Sequence, residues 1–211
     1  MAEVARSSLP AGRERPILFS APMVLAILED RKTQTRRIVR PEHAKLEPKE
    51  RLTKCPYGRP GDRLWVRETF ATLLISRKEA VVAYRASCPK DTFDYVGADG
   101  SISRIRVEQW RPSIFMVRAL SRISLEVTDV RTERLHELTE VDALAEGIKP
   151  ITGPTYFAPG QPTVYEIEGQ QFETARRAFA FAWDGINGSR ADWEKDPLVW
   201  VVSFRRLPEE A

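Results

Sequence analysis

The segment 32–37 carries side chains that could take part in chemistry. Its sequence, Lys-Thr-Gln-Thr-Arg-Arg, places one amine, two hydroxyls and two guanidiniums within six positions, directly after a short apolar stretch. A neutral amine can accept a proton, a threonine hydroxyl can attack a carbonyl carbon, and a guanidinium can hold an anion. The segment is therefore predicted to be either a basic surface patch or an active site.

Glu146 is the second candidate. Thr139 to Asp142 matches the capping-box pattern, so we predict a helix that begins there and closes at Gly147. Glu146 then falls in the last turn, where the helix dipole disfavours an acid by roughly 0.3 to 1 kcal/mol at an exposed site. Because its position is mildly unfavourable, Glu146 is a candidate for a functional role.

The cysteines and histidines do not suggest a metal centre. Cys55 and Cys88 lie 33 positions apart, outside any CxxC motif and away from either histidine, and His43 and His136 are isolated as well. These spacings favour neither a zinc site nor a disulfide framework. We expect no metal and no other cofactor.

Length and composition bound the class of protein. The chain has 211 residues, of which 42% are hydrophobic and 30% charged, which is typical of one folded domain. It lacks an apolar run long enough for a membrane span, and residues 1–15 lack the apolar core of a secretory signal. We predict a cytoplasmic protein without a membrane partner, with a disordered leader at 1–15 and a single domain with loop insertions at 16–207.

Charge is unevenly distributed along the chain. Through Arg67 there are 15 Lys and Arg against 8 Asp and Glu, or +7, whereas the remainder has 18 against 22, or −4. Such a basic segment could attract phosphates or a nucleic acid, although solvated surface charge is the commoner cause.

The elements that must position these residues are indicated by local patterns. Residues 16–19 are predicted to form a strand, followed by a helix that Ser20 caps and that ends near Glu29. Asp30 then occupies the position at which a helix usually ends in a left-handed residue. The segment 32–37 would directly follow this turn.

The rest of the chain alternates strand patterns with loops and two further helices. Several strands interrupted by three helices favour an α+β fold, a small and mostly antiparallel β-barrel, over a parallel doubly wound sheet. The predicted segments are a loop at 41–60, strands at 64–68, 80–85, 121–130 and 198–204, a polar excursion at 91–103 that forms a hairpin tip or an insertion, a helix from Thr139, a loop at 150–162 and a helix at about 172–187.

Three of these segments resemble the ASCH family of PUA-like barrel proteins, especially its longer bacterial and phage-type members. They are Ile-Leu-Glu-Asp-Arg-Lys-Thr-Gln-Thr-Arg-Arg at 27–37, Gly-Asp-Arg-Leu-Trp-Val-Arg-Glu at 61–68, and the stretch 130–147. The resemblance spans roughly residues 16–207, and it implies a PUA-like barrel with about three flanking helices.

The family signature is Gly-x-Lys-x-x-Glu-x-Arg. Lys32 and Arg37 fit it, whereas Asp30 replaces the glycine and Thr35 replaces the glutamate. A threonine there is similar to the small bacterial N4-acetylcytidine amidohydrolases, in which a lysine and a threonine work with a glutamate from a later helix. The resemblance thus implies that Lys32, Thr35 and Glu146 form a catalytic triad acting on a small-molecule N4-acyl cytidine.

The chemistry of such a triad leaves two courses open. In one, Lys32 takes the proton of Thr35, which forms an acyl-enzyme; this requires a neutral lysine, so burial or neighbouring cations must lower its pKa. In the other, Glu146 activates a water while Lys32 and Thr35 hold the carbonyl and its developing oxyanion. We favour the first only slightly.

Three further residues are candidates for substrate binding, namely Arg37, Trp65 and Glu68. The indole could stack on a pyrimidine, although its position in a strand pattern fits the core equally well. Arg37 could contact a phosphate, or it could pair with Glu68 without a functional role.

Two other functions remain open alongside the hydrolase. The chain could be an RNA-binding PUA-like module, with Arg118 and Arg122 beside the basic segment, or an ASCH-type ribonuclease that uses Lys32 as general acid or base. A binding module needs neither Thr35 nor Glu146, so these two residues favour an amidohydrolase.

Overall fold

The computed structural model describes residues 12–208 except 77, 78, 89, 98, 152–163 and 168. Within these residues the chain forms eleven strands and five α-helices, an α+β fold as predicted. The strands are β1 (Glu14–Leu18), β2 (Gln34–Ile38), β3 (Arg63–Arg67), β4 (Phe70–Ser76), β5 (Glu79–Tyr84), β6 (Thr92–Val96), β7 (Ile102–Arg106), β8 (Ser124–Arg134), β9 (Tyr165–Ile167), β10 (Gln170–Phe172) and β11 (Leu198–Arg206). The helices are α1 (Ala21–Leu28), α2 (Pro41–Ala44), α3 (Pro48–Thr53), α4 (Glu140–Ala145) and α5 (Ala175–Asn187).

A five-stranded sheet forms the centre, in the order β1-β3-β8-β11-β2. β1 pairs with β3 in parallel, and the other three pairings are antiparallel. The remaining strands form the three two-stranded units β4-β5, β6-β7 and β9-β10. The polar excursion predicted at 91–103 is largely the β6-β7 hairpin.

The central sheet is covered on both faces, and β11 shows this most clearly. Trp200 and Val202 belong to a core that also contains Val24 and Ile27 of α1. Val199 and Val201 belong to a second core that contains residues of α5. Because successive side chains of a strand point to opposite faces, α1 and α5 pack on opposite sides of the sheet.

Helix α1 and the turn after it lie where they were predicted. Ser20 occupies the N-cap position without a side-chain capping hydrogen bond among the described residues, and Pro22 lies in the first turn, where its missing N–H costs little. Asp30 has φ 55°, the left-handed conformation expected after the helix. β1 begins at Glu14, two positions before the predicted strand, and residues 1–11 of the predicted leader lie outside the described residues.

The prediction of a loop at 41–60 is wrong in part, because α2 and α3 lie within it. Both are short helices with no buried residue, so they carry no apolar periodicity that could reveal them. Each begins with a proline, whose fixed φ suits the first helical position. Most of the predicted loop at 150–162 lies outside the described residues.

None of the helices in the described part of the chain has the length and apolar content that a transmembrane span requires.

Candidate active site

The turn after α1 brings the segment 32–37 against the end of α4. The backbone N–H groups of Arg31 and Lys32 both donate to the carbonyl of Ala26, each at 2.9 Å, which closes the end of the helix. The N–H of Thr33 then donates to the carbonyl of Ala145 at 2.9 Å. Backbone hydrogen bonds therefore fix the two segments side by side before any side chain is considered.

Gly147 permits this close approach. Its φ is +98°, which side chains other than glycine rarely adopt. A Cβ at this position would lie 2.9 Å from Cβ of Ala26 and 3.2 Å from Cβ of Lys32. The glycine predicted to close the helix thus also leaves room for the lysine.

Lys32 and Glu146 form a buried pair across this contact. Nζ of Lys32 donates to Oε2 of Glu146 at 2.6 Å and to its backbone carbonyl at 2.9 Å. The side chains are 0% and 4% exposed, respectively. The acid at the end of α4 is therefore compensated by a lysine, which explains its unfavourable position relative to the helix dipole.

Burial lowers the pKa of Lys32 below its ordinary value of 10.5. The loss of hydration outweighs the charge and hydrogen bond of Glu146, which favour the ammonium, and the guanidiniums of Arg37 and Arg36 lower the pKa further. A lysine in this environment is better suited to accept a proton than an exposed one.

Thr35 lies on β2, three positions after the lysine, and faces a cavity of about 600 Å³. It pairs with Val202 of β11, and Arg37 lies on the same face of the strand two positions later. Thr35, Arg37 and Glu146 line this cavity. Lys32 is not among the lining residues; it lies behind the carboxylate, with its amine withdrawn from solvent.

Apolar side chains from two helices form much of the cavity wall. They are Pro22, Met23 and Ala26 of α1 and Phe179, Phe181, Ala182, Trp183 and Ile186 of α5. Phe179 and Trp183 are buried, and they contribute to both the core and the cavity wall. Phe181 and Ile186 were not singled out from the sequence; a widened apolar stripe on α5 is the signal that could have revealed them.

Arg37, predicted to bind substrate, is at the cavity. Its Nη2 donates to the carbonyl of Leu18 at 2.6 Å, and its guanidinium lies 5.2 Å from the ring centroid of Phe19. Its Nε is buried and has no hydrogen-bond partner among the described residues. Among the described residues Arg37 forms no ion pair with Glu68, whose oxygens are bound by Arg122, so that alternative is wrong.

Trp65 and Glu68, the other two predicted binding residues, do not line the cavity. Trp65 is half-buried on β3 and lies 5.1 Å beneath the guanidinium of Arg67. Glu68 is buried, and both of its oxygens accept hydrogen bonds from Arg122, at 2.9 and 3.0 Å. The structure therefore brings Thr35, Arg37 and Glu146 to one cavity, with Lys32 bound to Glu146, and it leaves Trp65 and Glu68 outside that cavity.

The two arginines considered for RNA contact are engaged in ion pairs. Arg118 lies 2.9 Å from Glu14, and Arg122 binds Glu68. In each pair the carboxylate offsets the positive charge of the arginine, which would otherwise attract a phosphate.

Arg36 is a site residue that the sequence indicates only as one of the cationic neighbours of Lys32, not as a residue of the triad or of the substrate site. Its side chain is fully buried and contacts Glu133, Glu146 and Asp142. The signal for its burial is that β2, Gln-Thr-Arg-Arg-Ile, lacks the apolar alternation of an ordinary strand, so its buried face must be polar.

No group of three or more His, Cys, Asp and Glu side chains within the described ranges is arranged to hold a metal ion.

Comparisons of the chain with protein-family models, with curated proteins and with solved structures found no match.

Proposed function

We propose that the protein is an amidohydrolase that removes the acyl group from N4-acylated cytidine or a related cytosine nucleoside. The observation that carries the proposal is the buried Lys32–Glu146 pair, joined at 2.6 Å, beside a cavity that Thr35 lines. The resemblance of segments 27–37 and 130–147 to N4-acetylcytidine amidohydrolases supports the choice of substrate.

The proposed reaction starts with a neutral Lys32. As the hydroxyl oxygen of Thr35 bonds to the acyl carbon, Lys32 accepts the hydroxyl proton and becomes an ammonium. Glu146 stabilises that ammonium as it forms, in the way that a carboxylate stabilises the protonated base of other hydrolases. The bond between the acyl carbon and N4 then breaks, and Lys32 returns the proton to the departing amine.

The second half of the reaction releases the acid. A water molecule attacks the carbonyl of the Thr35 ester and gives its proton to Lys32, and the ester oxygen of Thr35 then takes that proton back. The products are a carboxylic acid and cytidine, and all three residues regain their starting protonation.

Arg37 is proposed to bind the substrate. It lies on the same strand face as Thr35 and lines the cavity, and its Nε is buried without a partner among the described residues. A guanidinium beside the nucleophile can donate to the acyl oxygen or to a carbonyl of the base.

The competing course, in which Glu146 activates water directly, predicts no covalent intermediate. Rapid mixing with substrate, acid quenching and mass spectrometry of the Thr35 peptide distinguish the two. We expect a transient mass increase equal to the acyl group; its persistent absence at full turnover would favour the water route.

We also propose that residues 16–207 form a single ASCH-type domain and that the central sheet belongs to a PUA-like barrel. The support is the resemblance, together with the antiparallel run β3-β8-β11-β2 and the register shift in β11 between Ser203 and Phe204, a device by which strands bend.

The deciding experiment is incubation with N4-acetylcytidine and measurement of cytidine release. Lys32→Ala, Thr35→Ala and Glu146→Ala are expected to reduce kcat/KM by about 100-fold or more. Thr33→Ala is the matched control, since this neighbouring threonine is exposed and should leave the rate nearly unchanged.

An inactive wild type towards several N4-acyl cytosines would overturn the hydrolase proposal. Binding of RNA by that inactive protein, with an affinity that collapses between low and moderate salt, would point instead to a nucleic-acid module. Activity that survives Thr35→Ala would remove only the nucleophile.

A further inference from the structure

Arg36 is a buried arginine next to the proposed catalytic pair. Its side chain is 0% exposed, and its Nη1 donates to Oε1 of Glu146 at 3.3 Å. Its Nε and Nη2 donate to Oε1 of Glu133 at 3.0 and 2.5 Å. Because an unpaired guanidinium is costly to bury, these carboxylates fix where the arginine can lie.

The two oxygens of Glu146 therefore have different partners. Oε2 accepts from Lys32 at 2.6 Å, and Oε1 accepts from Arg36 at 3.3 Å. A carboxylate held from two sides cannot rotate without breaking one contact. The amine of Lys32 therefore stays on the same oxygen, Oε2, during the reaction. A base that transfers a proton requires such a fixed position relative to its partner.

We propose that Arg36 is a positioning residue that holds Oε1 of Glu146, so that Oε2 remains on the amine of Lys32 during the reaction. The inference rests on the proposed amide hydrolysis. Arg36 acts through Glu146 and also compensates its charge, so the lysine need not be protonated to neutralise the carboxylate.

The charged groups around the lysine come from three elements. Glu146 reaches it from the end of α4, and Arg36 and Arg37 approach from β2; behind them lie Asp142 of α4 and Asp129, Arg131 and Glu133 of β8. Arg36 and Arg37 both lower the pKa of Lys32, and Arg36 also donates directly to Glu146. Loss of Arg36 leaves Lys32 to compensate Glu146 without that contact, which favours the ammonium.

The test compares pH profiles of N4-acetylcytidine hydrolysis for the wild type, Arg36→Gln and Arg131→Gln. Arg131 is the control because it donates to Glu133 at 3.0 Å and to Asp142 at 3.2 Å without an ion pair to Glu146 among the described residues. The double variant Arg36→Gln/Glu133→Gln removes the arginine together with its main partner, so that Glu133 is not left as an unpaired buried carboxylate, and this guards against misfolding.

In Arg36→Gln and in the double variant, we expect kcat to fall about 10- to 100-fold at neutral pH, with KM changed less than about threefold. The rise of activity with pH should move upward by about one unit, because the lysine is harder to deprotonate. Arg131→Gln should keep the wild-type profile. Since a purely structural role would change the folded fraction, rates are normalised to folded protein measured by circular dichroism.

Three results would overturn the inference. They are an equal shift of the profile in Arg131→Gln, a wild-type profile in the double variant, or a loss in Arg36→Gln that vanishes after normalisation. A wild type without activity would instead refute the hydrolase proposal itself, and this inference with it, so the two failures are distinguishable.

Discussion

Nζ of Lys32 lies 2.6 Å from Oε2 of Glu146, although the two residues are 114 positions apart in the chain. A buried ion pair is a weak source of stability, because well-packed apolar residues of similar volume often serve as well or better. The carboxylate of this pair lines a cavity that Thr35 also lines, which fits chemistry better than it fits stabilisation.

The rate of hydrolysis should rise with pH. Lys32 must be neutral to accept the proton of Thr35, and burial lowers its pKa below 10.5, so kcat/KM should increase and level off below that pH. Cytidine release measured from about pH 6 to about pH 10 checks this. Lys32→Arg is the control, since a guanidinium stays protonated and should be inactive throughout. A wild-type rate independent of pH would contradict a lysine base.

The free energy of unfolding should carry the same signature without any substrate. Between the lowered pKa of folded Lys32 and about 10.5, the unfolded chain binds more protons at this position, so the contribution of Lys32 to stability grows as pH rises. The difference in urea stability between the wild type and Lys32→Met should thus shift in favour of the wild type with increasing pH. Lys49→Met, at an exposed lysine, should show no such trend.

Gly147→Ala should destabilise the protein more than a glycine substitution that is strained only by its backbone. The left-handed φ of +98° costs about 1 to 2 kcal/mol, and the contact of the new Cβ with Ala26 adds about 1 to 3 kcal/mol. Gly100→Ala is the control, because its φ is +80° but no heavy atom lies within 4 Å of the added Cβ. If chemical denaturation gave equal losses of unfolding free energy for the two variants, the space between Gly147, Ala26 and Lys32 would not be tightly packed.

The size of the acyl group should be limited by α5. Phe181, Ala182 and Ile186 give an apolar wall to the cavity that Thr35 also lines. The enzyme should therefore hydrolyse N4-benzoylcytidine in addition to N4-acetylcytidine. Ala182→Leu narrows this space and should lower kcat/KM for the benzoyl substrate by about tenfold, or about 1.4 kcal/mol, with a smaller effect on acetyl. Ala180→Leu, on the same helix but not among the cavity residues, should affect neither substrate. Equal losses for both acyl groups would place the acyl site elsewhere.

Glu68→Gln should affect stability and leave catalysis nearly intact. Glu68 is buried and bound at both oxygens by Arg122, whose side chain is 22% exposed, so water can replace part of the lost interaction. We expect a loss of about 2 kcal/mol in the free energy of unfolding and a change in kcat/KM of less than about threefold. A fall comparable to that of Glu146→Gln would return Glu68 to the substrate site.

Local patterns in the sequence were sufficient for several parts of the site. Asp30 as a left-handed residue and the capping box at Thr139 depend on neighbours within a few positions, and the structure confirms them. Ser20 likewise occupies the predicted N-cap position, although its side chain makes no capping hydrogen bond among the described residues. The alternating pattern at 121–130 likewise predicted much of β8, because one face of that strand is buried.

Other features left no local trace. The short helices α2 and α3 have no buried residue and so no periodic pattern. The parallel pairing of β1 with β3 joins segments that lie far apart in the chain. The sequence predicts that Trp65 and Glu68 bind substrate, whereas packing directs Glu68 to Arg122.

The sequence by itself determined which side chains were available and which helices and strands would carry them, because caps, periodicity and turn residues act over a few positions. Only the tertiary structure decided that Lys32 meets Glu146, that Arg36 binds the second oxygen of that carboxylate, and that α5 lines the same cavity as Thr35. Those relationships depend on the backbone contact between the turn after α1 and the end of α4 and on burial away from water. No local pattern encodes either of them.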